Sequence, residues 1–192
     1  NPPVFTGDAP DINNTKLFLN WVRLIQDLAH KNQILAYHDR SDGGAWAAVC
    51  EMAFAARCGL YLVCDAEDPS AFWFNEEIGA ILQIQSNTYQ SIKIQAEKMG
   101  LFINTIGTPT FKYPDITIQN IINEHDELDT IFKNTRVNLQ KFWTQTSHEI
   151  ARLRDNPACA DSEFAQIENP DALGLLASIN IPENYAQYYS QN

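Results

Sequence analysis

Apolar positions along the chain switch between a helical and an alternating period, and the switches mark its elements. From Thr15 to about Asn32, Phe18, Trp21, Val22, Ile25 and Leu28 recur at helical spacing. Thr15 can cap this first helix. "QILAY" (33–37) reads as a short buried strand, and Ala45 to Arg57 as a second helix that Gly59 can end. "LYLVCD" (60–65) is a strand. "DPSAFWFNEE" starts a short helix, with Asp68 as cap and Pro69 at its first position. "GAILQIQ" (79–85) is a third strand, 86–100 a helix closed by Gly100, and "LFINTIGTP" (101–109) a fourth strand. "DITIQNIINEHDELD" (115–129) offers a strand pair with a weakly marked turn. A long helix is expected from about Leu128 to Arg154, with Ile131, Val137, Leu139, Phe142, Trp143, Ile150 and Leu153 as its apolar contacts.

This order divides the chain into three parts. Residues 1–14 are rich in Pro, Asn and Asp and form a lead-in. Residues 15–154 are the folded domain. In residues 155–192 periodicity fades, which suggests a linker or arm. Strands and helices mix through crossover and meander connections. The expected class is α/β (α+β), a mixed sheet with packed helices. Periodicity does not choose the topology.

Composition narrows the function classes. The 192 residues suffice for one sizeable domain. No apolar run approaches the roughly 20 residues that cross a bilayer, so no membrane role is expected. The start, "NPPVFTGDAPD", lacks the basic and apolar regions of a signal peptide and has no initiator Met. That suggests a processed chain or a piece of a longer one. The net charge of -11 repels phosphate backbones, which argues against a nucleic-acid partner. A phosphorylated ligand would need a cation, a helix end or a partner domain beside it. The four cysteines form no C-x-x-C pair. Cys50, Cys58 and Cys64 lie in apolar segments and read as buried thiols of a reducing compartment.

The stretch "YHDRSDGG" (37–44) joins the first strand to the second helix and admits two readings. In one, Ser41 or Asp42 caps the helix, and Gly43 and Gly44 allow it to pack closely. In the other, the helix start attracts an anion while Asp39 and Asp42 repel it. A Mg²⁺ ion held by a carboxylate would resolve that conflict by binding phosphate oxygens, with Ser41 donating to a phosphate. His38, at a strand end, reads as packed or hydrogen-bonded. The paired acids Glu76 and Glu77 admit two readings, lining the site or solvated at a helix end, and the second is expected. His125 with Glu124 and Asp126 lacks zinc-type spacing. Trp21, Trp73 and Trp143 read as core or interdomain contacts, and Arg152 and Arg154 as partners of a helix C-terminus.

Four blocks in order, "YHDRSDGG", "EMAFAARCG", "FNEEIGAILQIQ" and "RLRDNPACAD", carry a resemblance from about Leu17 to Asp161. The chain resembles the large bacterial phosphoribosylformylglycinamidine synthases. These are ATP-dependent glutamine amidotransferases of purine biosynthesis, built like two fused aminoimidazole ribonucleotide synthetase units followed by a glutaminase. The resemblance implies the C-terminal subdomain of the second unit, ending in the arm toward the glutaminase. The implied reaction takes formylglycinamide ribonucleotide, ATP and glutamine to formylglycinamidine ribonucleotide, ADP, phosphate and glutamate. By the same resemblance Asp39 matches a magnesium ligand and Ser41 a nucleotide-binding residue. The rest of the ATP/ADP and Mg²⁺ site lies in other domains of the parent synthase, and no catalytic residue lies in this chain. Ala45-Trp46-Ala47-Ala48 departs from the bulkier aliphatic residues common in the family. Cys50, mid-helix, and Cys159, in a polar arm, do not fit a glutaminase nucleophile. A cytoplasmic location is implied, and the isolated piece is expected to dimerise through apolar surfaces otherwise covered. The alternative is a non-catalytic structural or interaction domain in which the turn is only a helix start.

Overall fold

The computed structural model describes residues 11, 12, 14–121 and 127–172. Its helices are α1 (Thr15–His30), α2 (Gly44–Ala56), α3 (Pro69–Phe74), α4 (Tyr89–Lys98), α5 (Arg136–Arg154) and α6 (Pro157–Ala165). Its strands are β1 (Ala36–Asp39), β2 (Gly59–Cys64), β3 (Ala80–Gln83), β4 (Gly107–Thr110), β5 (Asp115–Ile121) and β6 (Leu128–Thr135). Four strands form a mixed sheet in the order β4-β2-β5-β6. There β2 runs antiparallel to β4 and parallel to β5, and β5 runs antiparallel to β6. The other two, β1 and β3, make a separate antiparallel pair, with Ala36 opposite Gln83 and Asp39 opposite Ala80. The mixed α/β class expected from the pattern is the class observed.

Local chemistry accounts for the element ends. The side chain of Asn14, rather than Thr15, caps α1 by accepting the Leu17 N–H at 3.1 Å. Asp68 caps α3 as expected, accepting from Ser70 and Ala71 ahead of Pro69. Gly59 does not end α2. Arg57 does so in the left-handed conformation, at φ 53°, while the Cys58 N–H returns to the Ala53 carbonyl; Gly59 opens β2. The first strand lies slightly later than "QILAY", and the strand expected over 101–109 is shorter and later, at Gly107–Thr110.

The largest difference concerns residues 128–135, expected as the start of the long helix. They form β6, because Thr130, Ile131, Phe132 and Thr135 suit a pleated edge and β5 offers a free ladder. The helix begins only at Arg136, where the Thr135 hydroxyl accepts the Asn138 N–H. The segment beyond Arg154 opens with α6, capped by Asn156 with Pro157 at its first position. It folds back on α5. Asp161 accepts from His148 at 2.9 Å and Arg152 at 2.8 Å, and the Phe164 ring stacks on His148. Arg152 thus lies in the last turn of α5, as expected, and also bridges to α6. Residues 166–172 follow it and are held by Arg57, which donates to the Gln166 and Asn169 carbonyls. Residues 173–192 of the expected arm, and His125 with its acidic neighbours, lie outside the described residues.

Two apolar cores result. One joins α2 and α3 to the sheet through Val49, Ala53, Leu62, Trp73, Ile116 and Ile118. The other joins α1 and α4 through Leu24, Leu28, Ile92 and Ala96, with Leu82 of β3 against it. Between them opens an apolar groove of about 1470 Å³, reached by Phe18 and Trp21 of α1 and by Val49 and Met52 of α2. Cys50, Cys58 and Cys64 are buried free thiols, as expected, and Cys159 is exposed.

Candidate functional site

The corner begins where β1 ends. Side chains alternate along a strand, so Tyr37 and Asp39 share one face and His38 takes the other. Both Tyr37 and Asp39 are exposed. The Tyr37 hydroxyl donates to Asp39 Oδ1. Burial first, and then that bond to a carboxylate, push the Tyr37 phenol up to about 12, so it stays a donor through the neutral range.

On the opposite face His38 is tied down. One ring nitrogen lies 2.7 Å from the Asp39 carbonyl oxygen and the other 2.6 Å from Glu51 Oε2 on α2. The other Glu51 oxygen accepts the Trp143 N–H from α5 at 3.2 Å. His38 is thus the hydrogen-bonded strand-end histidine its position suggested. The main chain at Asp39 is linked through it to two helices. Arg40 follows. Its guanidinium donates to the Glu77 and Ile78 carbonyls, and its N–H to the Gly79 carbonyl, which fastens the turn to the start of β3.

The start of α2 differs from the capping expectation. Neither Ser41 nor Asp42 caps it: Gly43 stands at the cap position without a side-chain bond. The Gly44 N–H instead meets the Ser41 carbonyl oxygen at 2.8 Å. The Gly43 N–H meets Glu76 Oε1 at 2.8 Å, so a carboxylate already faces the positive end of the helix. Gly43 and Gly44 both have positive φ, 79° and 66°. A Cβ at Gly44 would fall 2.6 Å from the Trp73 carbonyl oxygen and 2.8 Å from that of Asn75. The second glycine therefore serves the close approach of α2 to the end of α3, as the packing reading expected.

Asp39 and Ser41, the two residues singled out by sequence, thus lie at one exposed turn. They do not line the large apolar groove, which reaches His38, Arg40 and Glu51 instead. Among the described residues no three His, Cys, Asp or Glu side chains gather to hold a metal. Asp39 offers a single hard carboxylate. That donor fits Mg²⁺, which keeps several waters and takes one or two carboxylates plus substrate phosphates. Sequence reasoning missed Tyr37, although its spacing from Asp39 signals a shared strand face. Glu76, expected as solvated rather than lining the site, does reach the corner, from a loop 33 residues after Gly43.

Several solved structures share this fold. Thermotoga maritima PurL in complex with ATP superimposes with a TM-score of 0.56 at 12% identity, over 66% of this chain and 22% of that one. The same protein with ADP gives 0.53 at 12% identity, again over 66% and 22%. Phosphoribosylformylglycinamidine synthase II from that organism gives 0.51 at 12% identity, over 88% and 27%. The chain thus spans between a fifth and just over a quarter of the length of these structures. In sequence, residues 8–109 match the family model described as "AIR synthase related protein, C-terminal domain". That span holds α1 through most of β4, the core between α1 and α4, the α2 and α3 side of the other core and the Asp39–Gly44 turn, and by it the chain belongs to the AIR synthase related family as a C-terminal domain.

Proposed function

We propose that this chain is a segment of a phosphoribosylformylglycinamidine synthase and supplies one wall of a Mg²⁺–nucleotide site. In this reading Asp39 holds the cation, Ser41 meets a phosphate oxygen, and other domains of the parent complete the site. No residue of this chain is assigned a catalytic role. The glutamine-dependent ligation of formylglycinamide ribonucleotide belongs to the whole polypeptide. The carrying observation is the turn itself: within a domain of this family, an exposed carboxylate ends β1, and a short turn leads from it to a helix whose cap residue, Gly43, makes no side-chain bond. One protein of the same fold, Thermotoga maritima PurL, was solved both with ATP and with ADP, which supports the choice of ligand.

The test is titration of ADP in the presence of Mg²⁺ into the intact polypeptide that carries this segment. Asp39→Ala is expected to weaken binding at least tenfold. Wild-type affinity in that variant would refute the assignment.

One observation favours a second, structural reading. Glu76 faces the helix end where a phosphate would approach, and Gly44 is required by packing. A domain that has lost its ligand would keep both features. The same titration separates the two, because a structural turn leaves ADP binding indifferent to Asp39.

A further inference from the structure

The donor on Asp39 Oδ1 has a consequence for which cation the carboxylate can take. A carboxylate has two oxygens and binds metals through one or both. Ca²⁺ accepts both oxygens of one carboxylate, at 2.3–2.6 Å and in loose geometry. Mg²⁺ demands near-octahedral geometry at about 2.0–2.1 Å and takes a single oxygen per carboxylate more readily. Here the Tyr37 hydroxyl engages Oδ1, and its hydrogen, with positive partial charge, sits against that oxygen. A cation held symmetrically by both oxygens would lie beside that hydrogen, whereas a cation held by Oδ2 alone would not.

We propose that Tyr37 sets the cation preference of this corner by keeping Asp39 a one-oxygen ligand, which favours Mg²⁺ over Ca²⁺. This rests on the assignment of Asp39 as a cation ligand. Tyr37 is suited to the role. It shares the Asp39 face of β1, and β1 is held by its pairing with β3 and by the His38–Glu51 contact. A hydroxyl placed this way also removes rotational freedom from the carboxylate, as partners behind metal ligands generally do.

The test uses the intact polypeptide and compares ADP affinity in Mg²⁺ with that in Ca²⁺, by calorimetry, for wild type, Tyr37→Phe and Asp39→Asn. Phe keeps the ring on a residue that is 39% exposed, so the fold is retained. The wild type is expected to favour Mg²⁺. Tyr37→Phe is expected to shrink the Mg²⁺/Ca²⁺ ratio about tenfold, the scale on which such partners tune metal affinity. A purely structural tyrosine would lower both affinities together and leave the ratio alone. An unchanged ratio in Tyr37→Phe, with binding lost in Asp39→Asn, overturns the role of Tyr37 while sparing the site. Wild-type binding in Asp39→Asn overturns both.

Discussion

Gly44→Ala tests how tightly the corner is built. The residue sits at φ 66°, where an L side chain costs about 1–2 kcal/mol. Its new Cβ would fall 2.6 Å from the Trp73 carbonyl oxygen and 2.8 Å from both the Asn75 carbonyl oxygen and the Phe74 carbonyl carbon. These are backbone atoms at the end of α3, so no side chain can swing aside. Such overpacking costs roughly 1–3 kcal/mol. Restricting the unfolded chain returns only about 0.4–1 kcal/mol. The expected net loss is therefore about 2–4 kcal/mol. Urea unfolding followed by circular dichroism reads it: with a slope of about 2 kcal/mol/M, the midpoint falls by about 1–2 M. Gly100→Ala is the control. Its φ is 75°, but the nearest obstacle is a flexible Leu17 methyl group at 3.3 Å, so about half the effect is expected. A midpoint for Gly44→Ala within about 0.3 M of wild type would refute the close contact between α2 and α3.

Two further outcomes follow from charge and burial. Burial raises the Cys50 thiol to about 12 and also lifts those of Cys58 and Cys64, so at pH 8 a thiol reagent should label Cys159 quickly and the other three only on unfolding; fast modification of Cys50 would contradict the packing of α2. The Lys31 amine, and then the Gln95 amide, hold the Asp27 carboxyl below its ordinary 3.8. A depressed folded-state value stabilises above the unfolded value and is lost as pH falls through the folded one. Wild type should therefore melt above Asp27→Asn near neutrality, and the gap should close below about pH 4 and narrow in high salt; a gap that persists in acid would exclude the ion pair as its cause.

Helical spacing marked α1 and α4, and the Asp68-Pro69 pair marked α3, because caps and stripes act within a few residues of one another. The same locality misled at 128–135. Ile131 also fits a helical stripe, and only β5, its pairing partner, draws the segment into the sheet. Helix α6 carries the same kind of local start signal, Asn156 ahead of Pro157, and what no local pattern shows is its place on α5, where Asp161 meets His148 and Arg152 and Phe164 stacks on His148.

At the corner, the order of residues alone determined that a carboxylate at 39 and a hydroxyl at 41 precede a glycine pair at a strand-to-helix turn. Covalent neighbours stay neighbours in any fold. Only the tertiary structure decided that Glu76 faces the Gly43 N–H, that Glu51 and Trp143 anchor His38, and that Gly44 is demanded by the backbone of α3. Those partners lie 13 to 92 residues apart in the chain, and no local period encodes a distance that chain folding itself must close.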